Sequence, residues 1–132
     1  MRTQPLVRIV LIGGWLLAAG TTGVHAADPS DAERGKIKFQ RTCAPCHGAG
    51  PGSDGRAALP GTDALRLKYT GTVPALLEAR TDLTADVLKS FVRRGSWSMP
   101  PFRKTELTDA EIAAIAAYLA VSSKTGARTP VR

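Results

Sequence analysis

The clearest pattern of apolar positions lies near the carboxyl end of the chain. Ile112, Ile115, Ala116 and Leu119 fall at i, i+3, i+4 and i+7, the spacing that puts apolar side chains on one face of a helix. Thr108–Glu111 precedes them with the residue types of a capping box, a hydroxyl residue followed three positions later by a glutamate. The sequence therefore predicts an amphipathic helix that begins near Thr108 and buries one face.

Two further helices are predicted upstream from their end signals. Ser30–Glu33 has the capping-box pattern and opens a helix that runs to about Thr42. Thr84 is an N-cap residue, and Gly95 is a typical helix stop. The helix between Thr84 and Gly95 has one apolar face, made of Val87, Leu88, Phe91 and Val92.

The segments between these helices have weaker patterns. Pro74 suits the first position of a helical turn that extends to Arg80. Gly48–Gly61 contains five glycines and two prolines and is predicted to be a loop. Residues 123–132 are polar with a late proline and are predicted to form a flexible tail. Since no convincing strand pair is found, the expected fold class is all-α, with three to five helices.

The first 26 residues have the pattern of an export signal. Arg2 and Arg8 form a positive segment, residues 9–19 are apolar, and small residues precede a predicted cleavage after Ala26. This division leaves residues 27–122 as the folded domain. The alternative is a retained membrane anchor, but a spanning helix needs about 20 apolar residues and this run has eleven. A cleaved signal predicts a periplasmic protein without stable membrane insertion.

Removal of the signal changes which groups remain for chemistry. The chain of 132 residues carries a net charge of +7, and loss of Arg2 and Arg8 lowers this to +5. His47 and Met99 become the only histidine and the only methionine of the mature chain. The length excludes a multi-domain enzyme. The two cysteines must be explained together, because they lie only three positions apart.

Cys43–His47 has the pattern C-x-x-C-H, the attachment signature of a c-type haem. Two thiols add across the two vinyl groups of the porphyrin, and the adjacent imidazole then reaches the iron from one face. Cys43 and Cys46 are therefore the predicted covalent attachment sites, and His47 is the predicted first axial ligand. The motif occurs once, so one haem per chain is expected. A haem domain also explains these residues better than nucleic acid binding does.

Three other interpretations of the motif compete with haem attachment. A structural zinc site needs two further ligands, and the mature chain has no other Cys or His. A thioredoxin-like redox pair belongs to a βαβ unit, for which no strand is predicted. A plain disulfide between Cys43 and Cys46 is compatible with export, but it leaves His47 unexplained.

Met99 is the predicted second axial ligand. It is the only sulfur outside the motif in the mature chain, and His/Met ligation is a standard haem arrangement that raises the reduction potential. Pro100 and Pro101 restrict the backbone next to it, which positions the sulfur at low entropic cost. The alternatives are that Met99 fills a gap in the core, or that a lysine or hydroxide takes the sixth position.

The sequence resembles the small single-haem class I cytochromes c over residues 31–121. The matching residues are Gly35 and Phe39 in the first helix, Cys43–His47, Met99 and Pro100, and Tyr118 and Leu119 in the last helix. The resemblance implies a small cytochrome c fold, with the helices packed around one covalently attached haem. It also implies that the first and last helices cross near the haem.

The same resemblance assigns three supporting roles. Gly35 is the small residue that lets the two helices approach closely, and Tyr118 is an aromatic side chain that packs beside the haem. Members of the family have a proline soon after the motif whose carbonyl holds the histidine ring. Pro60 and Pro51 compete for that role here, and Pro60 is preferred.

An iron held by His47 and Met99 has no open position for a substrate, unlike a catalytic metal site. The expected function is therefore transfer of one electron rather than catalysis. The alternative is a haem-based sensor or enzyme in which the sixth ligand is displaced. Expected partners are redox proteins, with a terminal oxidase or another cytochrome as acceptor. A resemblance to cytochromes of flavin-dependent cresol and phenol dehydrogenases implies a flavoprotein donor, either as an encounter partner or as a subunit.

Four basic residues flank the predicted ligand loop: Arg93, Arg94, Arg103 and Lys104. They are predicted to form a basic rim that attracts an acidic redox partner. The alternative is an ordinary solvated face without a role in binding.

Overall fold

The computed structural model of the protein describes residues 29–126, and within this range it contains five α-helices and one short 3-10 turn. The helices are α1 (Pro29–Thr42), α2 (Ala44–His47), α3 (Pro60–Tyr69), α4 (Ala85–Arg94) and α5 (Asp109–Gly126), and the 3-10 turn is Leu77–Ala79. The described range has no strand beyond an isolated bridge between Ser96 and Met99. The all-α prediction is confirmed. The predicted signal peptide lies outside the described residues.

The capping residues predicted for α4 and α5 make the expected hydrogen bonds at the amino ends of these helices. The Thr84 hydroxyl accepts a hydrogen bond from the Val87 amide at 3.3 Å, which satisfies one free N–H of the first turn of α4. Thr108 and Glu111 form a reciprocal capping box, because the Thr108 amide donates to the Glu111 carboxylate at 2.7 Å and the Glu111 amide donates to the Thr108 hydroxyl at 3.2 Å. Gly95 follows α4 with φ of 69°.

Helix α3 is the element that the sequence patterns missed. It begins at Pro60, inside the predicted loop, and its ten residues contain no set of apolar positions at i, i+3, i+4 and i+7. Pro60 occupies the first turn, where its missing N–H costs nothing. Arg66 pairs with Asp63 one turn earlier at 2.7 Å, and Thr70 ends the helix in the left-handed conformation. The downstream turn is also shorter than predicted, since it covers only Leu77–Ala79.

The carboxyl end of α5 corrects the predicted start of the tail. The helix continues through Gly126, four residues into the segment predicted to be flexible. Ser123 is buried, and the Ser122 hydroxyl donates to the Glu78 carbonyl in the 3-10 turn at 3.2 Å. Because this contact is distant in sequence, the local polar composition could not predict it. Residues 127–132 lie outside the described part of the chain.

The core lies where α1, α4 and α5 meet. Its buried side chains are Phe39, Val92, Leu107, Ile112, Ile115 and Leu119. The predicted apolar face of α5 is confirmed, since all four of its residues are buried. Helices α1 and α5 cross at Gly35, where a Cβ atom would overlap the carbonyl group of Ala114. The crossing thus depends on the absence of a side chain at position 35.

Arg93 is turned into the fold and does not belong to a basic rim. Its guanidinium donates to the carbonyls of Phe102 at 2.9 Å and Leu107 at 2.8 Å, and to the Asp109 carboxylate at 2.5 Å. Lys89 contacts the same carboxylate at 2.8 Å. The prediction that Arg93 belongs to the basic rim is therefore wrong. Its planar guanidinium binds several acceptors in the segment 102–109, which the fold brings next to α4.

Asp109 is expected to make stability depend on pH in the acid range. Hydrogen bonds from Lys89 and Arg93 lower the pKa of Asp109 from 3.8 to about 2. A carboxyl group with a lowered pKa stabilises the fold above its unfolded pKa, and this stabilisation is lost as the pH falls toward 2. Asp109→Asn should lower the melting temperature at neutral pH by a few degrees and flatten its fall in acid, as measured by circular dichroism.

Asp86→Asn is the matched control, because Asp86 is an exposed carboxylate with no ion pair among the described residues. It should leave the acid dependence unchanged. Equal melting curves for wild type and Asp109→Asn over this pH range would contradict the role of Asp109.

Candidate functional site

The C-x-x-C-H motif is itself a helical turn. The Cys43 amide donates to the Phe39 carbonyl at 2.8 Å, and the His47 amide donates to the Cys43 carbonyl at 2.8 Å, so the motif continues from α1 with little interruption. Residues three apart in a helix face the same side, which brings the two thiols together. Both are free cysteines, Cys43 half-buried and Cys46 exposed. Burial and the nearby Cys46 raise the pKa of the Cys43 thiol to about 11.

His47 packs against the start of α3. A Cβ atom on Gly61 would lie 2.7 Å from Cε1 and 2.8 Å from Nδ1 of the ring, so only glycine leaves room for the imidazole. The Thr62 hydroxyl donates to the Gly48 carbonyl at 3.1 Å, which joins α3 to the end of the motif. Burial lowers the pKa of His47, so the ring is neutral at neutral pH. Neutral imidazole is the form that binds a metal.

The hydrogen bond predicted between His47 and the Pro60 carbonyl is absent. Nδ1 of His47 is buried and has no hydrogen-bond partner among the described residues, so Pro51 does not supply one either. Pro60 lies in the first turn of α3, where carbonyl groups align with the helix axis and accept bonds from the next turn. Its neighbour Gly61 is instead the residue whose close packing sets the position of the ring.

Met99 lies in a rigid turn that follows α4. The Ser96 and Met99 amides donate to each other's carbonyls at 3.0 and 2.9 Å. Gly95 has φ of 69°, and a Cβ atom there would lie 2.7 Å from the Met99 carbonyl oxygen. The Phe102 amide donates to the Val92 carbonyl at 2.8 Å and closes the loop against α4. Met99 is half-buried and packs on the core cluster, as Cys43 does.

These residues fit a covalently attached haem. Two free thiols share one helical turn, the His47 ring follows them with Nδ1 turned against Gly61, and one thioether is half-buried on the same core. Within residues 29–126 no three His, Cys, Asp or Glu side chains cluster to hold a metal ion by themselves.

The comparison with family models supports the same conclusion. Residues 30–119 match the model described as cytochrome C oxidase, cbb3-type, subunit III. The chain belongs to this family of c-type cytochromes. No curated protein and no solved structure matches it at significance. The cytochrome is therefore a haem-based electron carrier with a covalently bound haem c and a small all-α cytochrome c fold.

Gly35 and Tyr118 lie at the crossing of the first and last helices. The rings of Phe39 and Tyr118 are tilted by 51° with centroids 5.4 Å apart, an arrangement that favours aromatic contact. The Tyr118 hydroxyl donates to the Glu78 carboxylate. Burial and this carboxylate raise the pKa of Tyr118 to about 12, so the phenol stays protonated. The cytochrome thus holds its 3-10 turn on α5 through Tyr118.

Sequence reasoning missed several residues that organise the site. Gly61 and Thr62 position α3 against the motif, and Glu78 bonds to α5. Gly61 was assigned to a loop, Thr62 was assigned to no element, and Glu78 carries no local signal for its bond to α5. The pair Pro60 and Gly61, with proline at a first helical position, was the one signal that could have indicated α3.

Proposed function

We propose that the cytochrome is an exported single-haem electron carrier with His47 and Met99 as axial ligands. The observation that carries this proposal is the rigid Ser96–Met99 turn, which places the one thioether of the described chain on the core cluster that also contacts Cys43. A rigid turn holds a weak ligand in place without further loss of entropy. The pairing of a neutral imidazole with a thioether raises the reduction potential of a haem.

The haem, when bound, supplies an iron that gains or loses one electron. His47 and Met99 would stay attached in both oxidation states, so little rearrangement accompanies transfer. With His47 and Met99 both bound, the iron would offer no vacant position to a substrate, which distinguishes the carrier from a sensor or an enzyme. The surrounding chain acts on the potential through the thioether and through burial of the site.

The proposed location is the periplasm. The support is the amino-terminal pattern of a positive segment followed by a short apolar run. Among residues 29–126 no helix is long and apolar enough to cross a membrane.

The proposed donor is a flavoprotein dehydrogenase, and the proposed acceptor is a terminal oxidase or another cytochrome. The family description names a subunit of a cbb3-type oxidase, which supports an oxidase as acceptor. The flavoprotein donor rests on the resemblance of three segments to cytochromes of cresol and phenol dehydrogenases. They are residues 59–80, the helix capped by Thr84 and the loop 97–102. Purification from periplasm tests the two forms of association. A stoichiometric flavoprotein supports a subunit, and a lone monomer at low salt supports a diffusing carrier.

Carbon monoxide separates the electron carrier from the haem sensor. The reduced holoprotein is expected to bind carbon monoxide slowly, because Met99 must leave the iron first. Stopped-flow absorption after mixing measures the rate. The matched comparison is Met99→Leu, which lacks the thioether and should bind carbon monoxide quickly. Rapid binding by the unmodified protein would contradict the carrier and favour a displaceable sixth ligand.

A further inference from the structure

Trp97 is the most exposed large apolar side chain of the described chain. It is 103% exposed, and its backbone has φ of 54°, in the left-handed region that bulky residues rarely occupy. The turn that holds it is closed by the two hydrogen bonds between Ser96 and Met99. Within residues 29–126 no side chain covers the ring.

The surroundings of Trp97 are basic. The bond from the Phe102 amide to the Val92 carbonyl folds the chain after the turn back along the end of α4. This places Arg94 before the turn and Lys104 after it, both exposed and without an ion pair among the described residues. Arg103 is neutralised by Glu106 at 3.1 Å. Residues 93–104 contain no acidic side chain, so the exposed charge around the turn is positive.

We infer that Trp97 anchors the docking of an acidic redox protein, its ring filling an apolar recess of the partner while Arg94 and Lys104 face carboxylates. This inference rests on the proposed electron carrier. Tryptophan is enriched among the residues that dominate binding energy at protein interfaces. The fixed turn lowers the entropic cost of docking, and the positive flanks accelerate encounter with an acidic surface.

The position of Trp97 favours a protein partner over an anionic membrane. It lies two residues from Met99, in the same closed turn as the proposed ligand. A partner seated on Trp97 is therefore next to the segment that would contact the iron. A lipid surface exchanges no electron with the haem, so binding to lipid would not require Trp97 to lie next to Met99.

Trp97→Asn tests the anchor without disturbing the turn, because asparagine tolerates a positive φ better than other side chains do. Val121→Ala is the matched control, since Val121 is an exposed apolar residue of α5 at 49% exposure. The probe is reduced flavodoxin, an acidic flavoprotein. One electron leaves its reduced flavin and converts the ferric haem to ferrous haem. Ascorbate, a small reductant, reports transfer without protein docking.

At low ionic strength, Trp97→Asn should reduce the second-order rate constant with flavodoxin about tenfold. Its reduction by ascorbate, its visible spectrum and its potential should stay unchanged, and Val121→Ala should match wild type throughout. Equal flavodoxin rates for Trp97→Asn and wild type would overturn the anchor. So would a loss seen only in binding to phosphatidylglycerol vesicles, which would indicate a lipid contact. Rapid carbon monoxide binding by wild type would contradict the electron-carrier proposal. It would not affect the comparison of flavodoxin rates, so the two proposals can fail separately.

Discussion

Replacement of Met99 by leucine is expected to lower the haem potential by on the order of a few tenths of a volt, because axial ligands set haem potentials over a range of about 0.8 V. Leucine keeps nearly the volume of methionine, so the contacts with the core cluster remain while the sulfur is removed. A potentiometric titration followed by absorption measures the change. The reduced variant should also bind carbon monoxide rapidly, since the sixth position is then open.

Trp97→Asn is the control for Met99→Leu, because it alters the same turn without removing the thioether. Its potential should equal that of wild type. If Met99→Leu also keeps the wild-type potential and spectrum, Met99 is a core residue and a different group binds the iron. A lowered melting temperature with an unchanged potential would indicate the same.

Gly35→Ala should destabilise the holoprotein by about 3 kcal/mol or more. A Cβ atom at this position would overlap the Ala114 carbonyl and lie 2.9 Å from the Ile115 nitrogen, both backbone atoms of α5. Backbone cannot rotate away as a flexible side chain can, so α1 and α5 must separate. Separation would loosen the packing of Phe39 on Tyr118. Urea unfolding followed by circular dichroism measures the loss.

The direction of the stability change in Gly35→Ala shows whether α1 and α5 are in close contact at this position. Alanine is favoured over glycine in a helix interior by about 1 kcal/mol, so without a collision the substitution would stabilise α1. Lys36→Ala, at the next and exposed position of α1, is the matched control and should change stability by less than about 0.5 kcal/mol. A Gly35→Ala protein as stable as wild type would show that the two helices do not cross as closely as the structure has them.

The candidate site was predictable where its residues are neighbours in sequence. Cys43–His47 spans five positions and its chemistry depends on that spacing alone. Met99 followed from a count of the sulfur atoms that remain after signal removal. The partner of the His47 ring was not predictable in the same way. A proline carbonyl was expected from the resemblance, whereas the structure places Gly61 against the ring and leaves Nδ1 without an acceptor.

The contacts of the basic residues near the ligand loop were also not predictable from the sequence. Four cations were grouped by their positions in the chain, and the structure separates them by their contacts. Arg93 joins α4 to the start of α5, and Arg103 pairs with Glu106. Only Arg94 and Lys104 remain exposed without an ion pair among the described residues. The number of basic residues could be counted from the sequence. Which of them stay free in solvent depends on the carbonyl and carboxylate groups that the fold places next to each one.

The sequence by itself determined the all-α class, both ends of α4, the start of α5, the buried face of α5 and the haem attachment motif. Each of these depends on interactions within one or two helical turns, which are encoded by residues a few positions apart. Tertiary structure alone decided the extent of α5, the existence of α3 beside His47, the inward turn of Arg93 and the exposure of Trp97. These features depend on contacts between segments far apart in the chain, and no local pattern specifies which distant surface a side chain will meet.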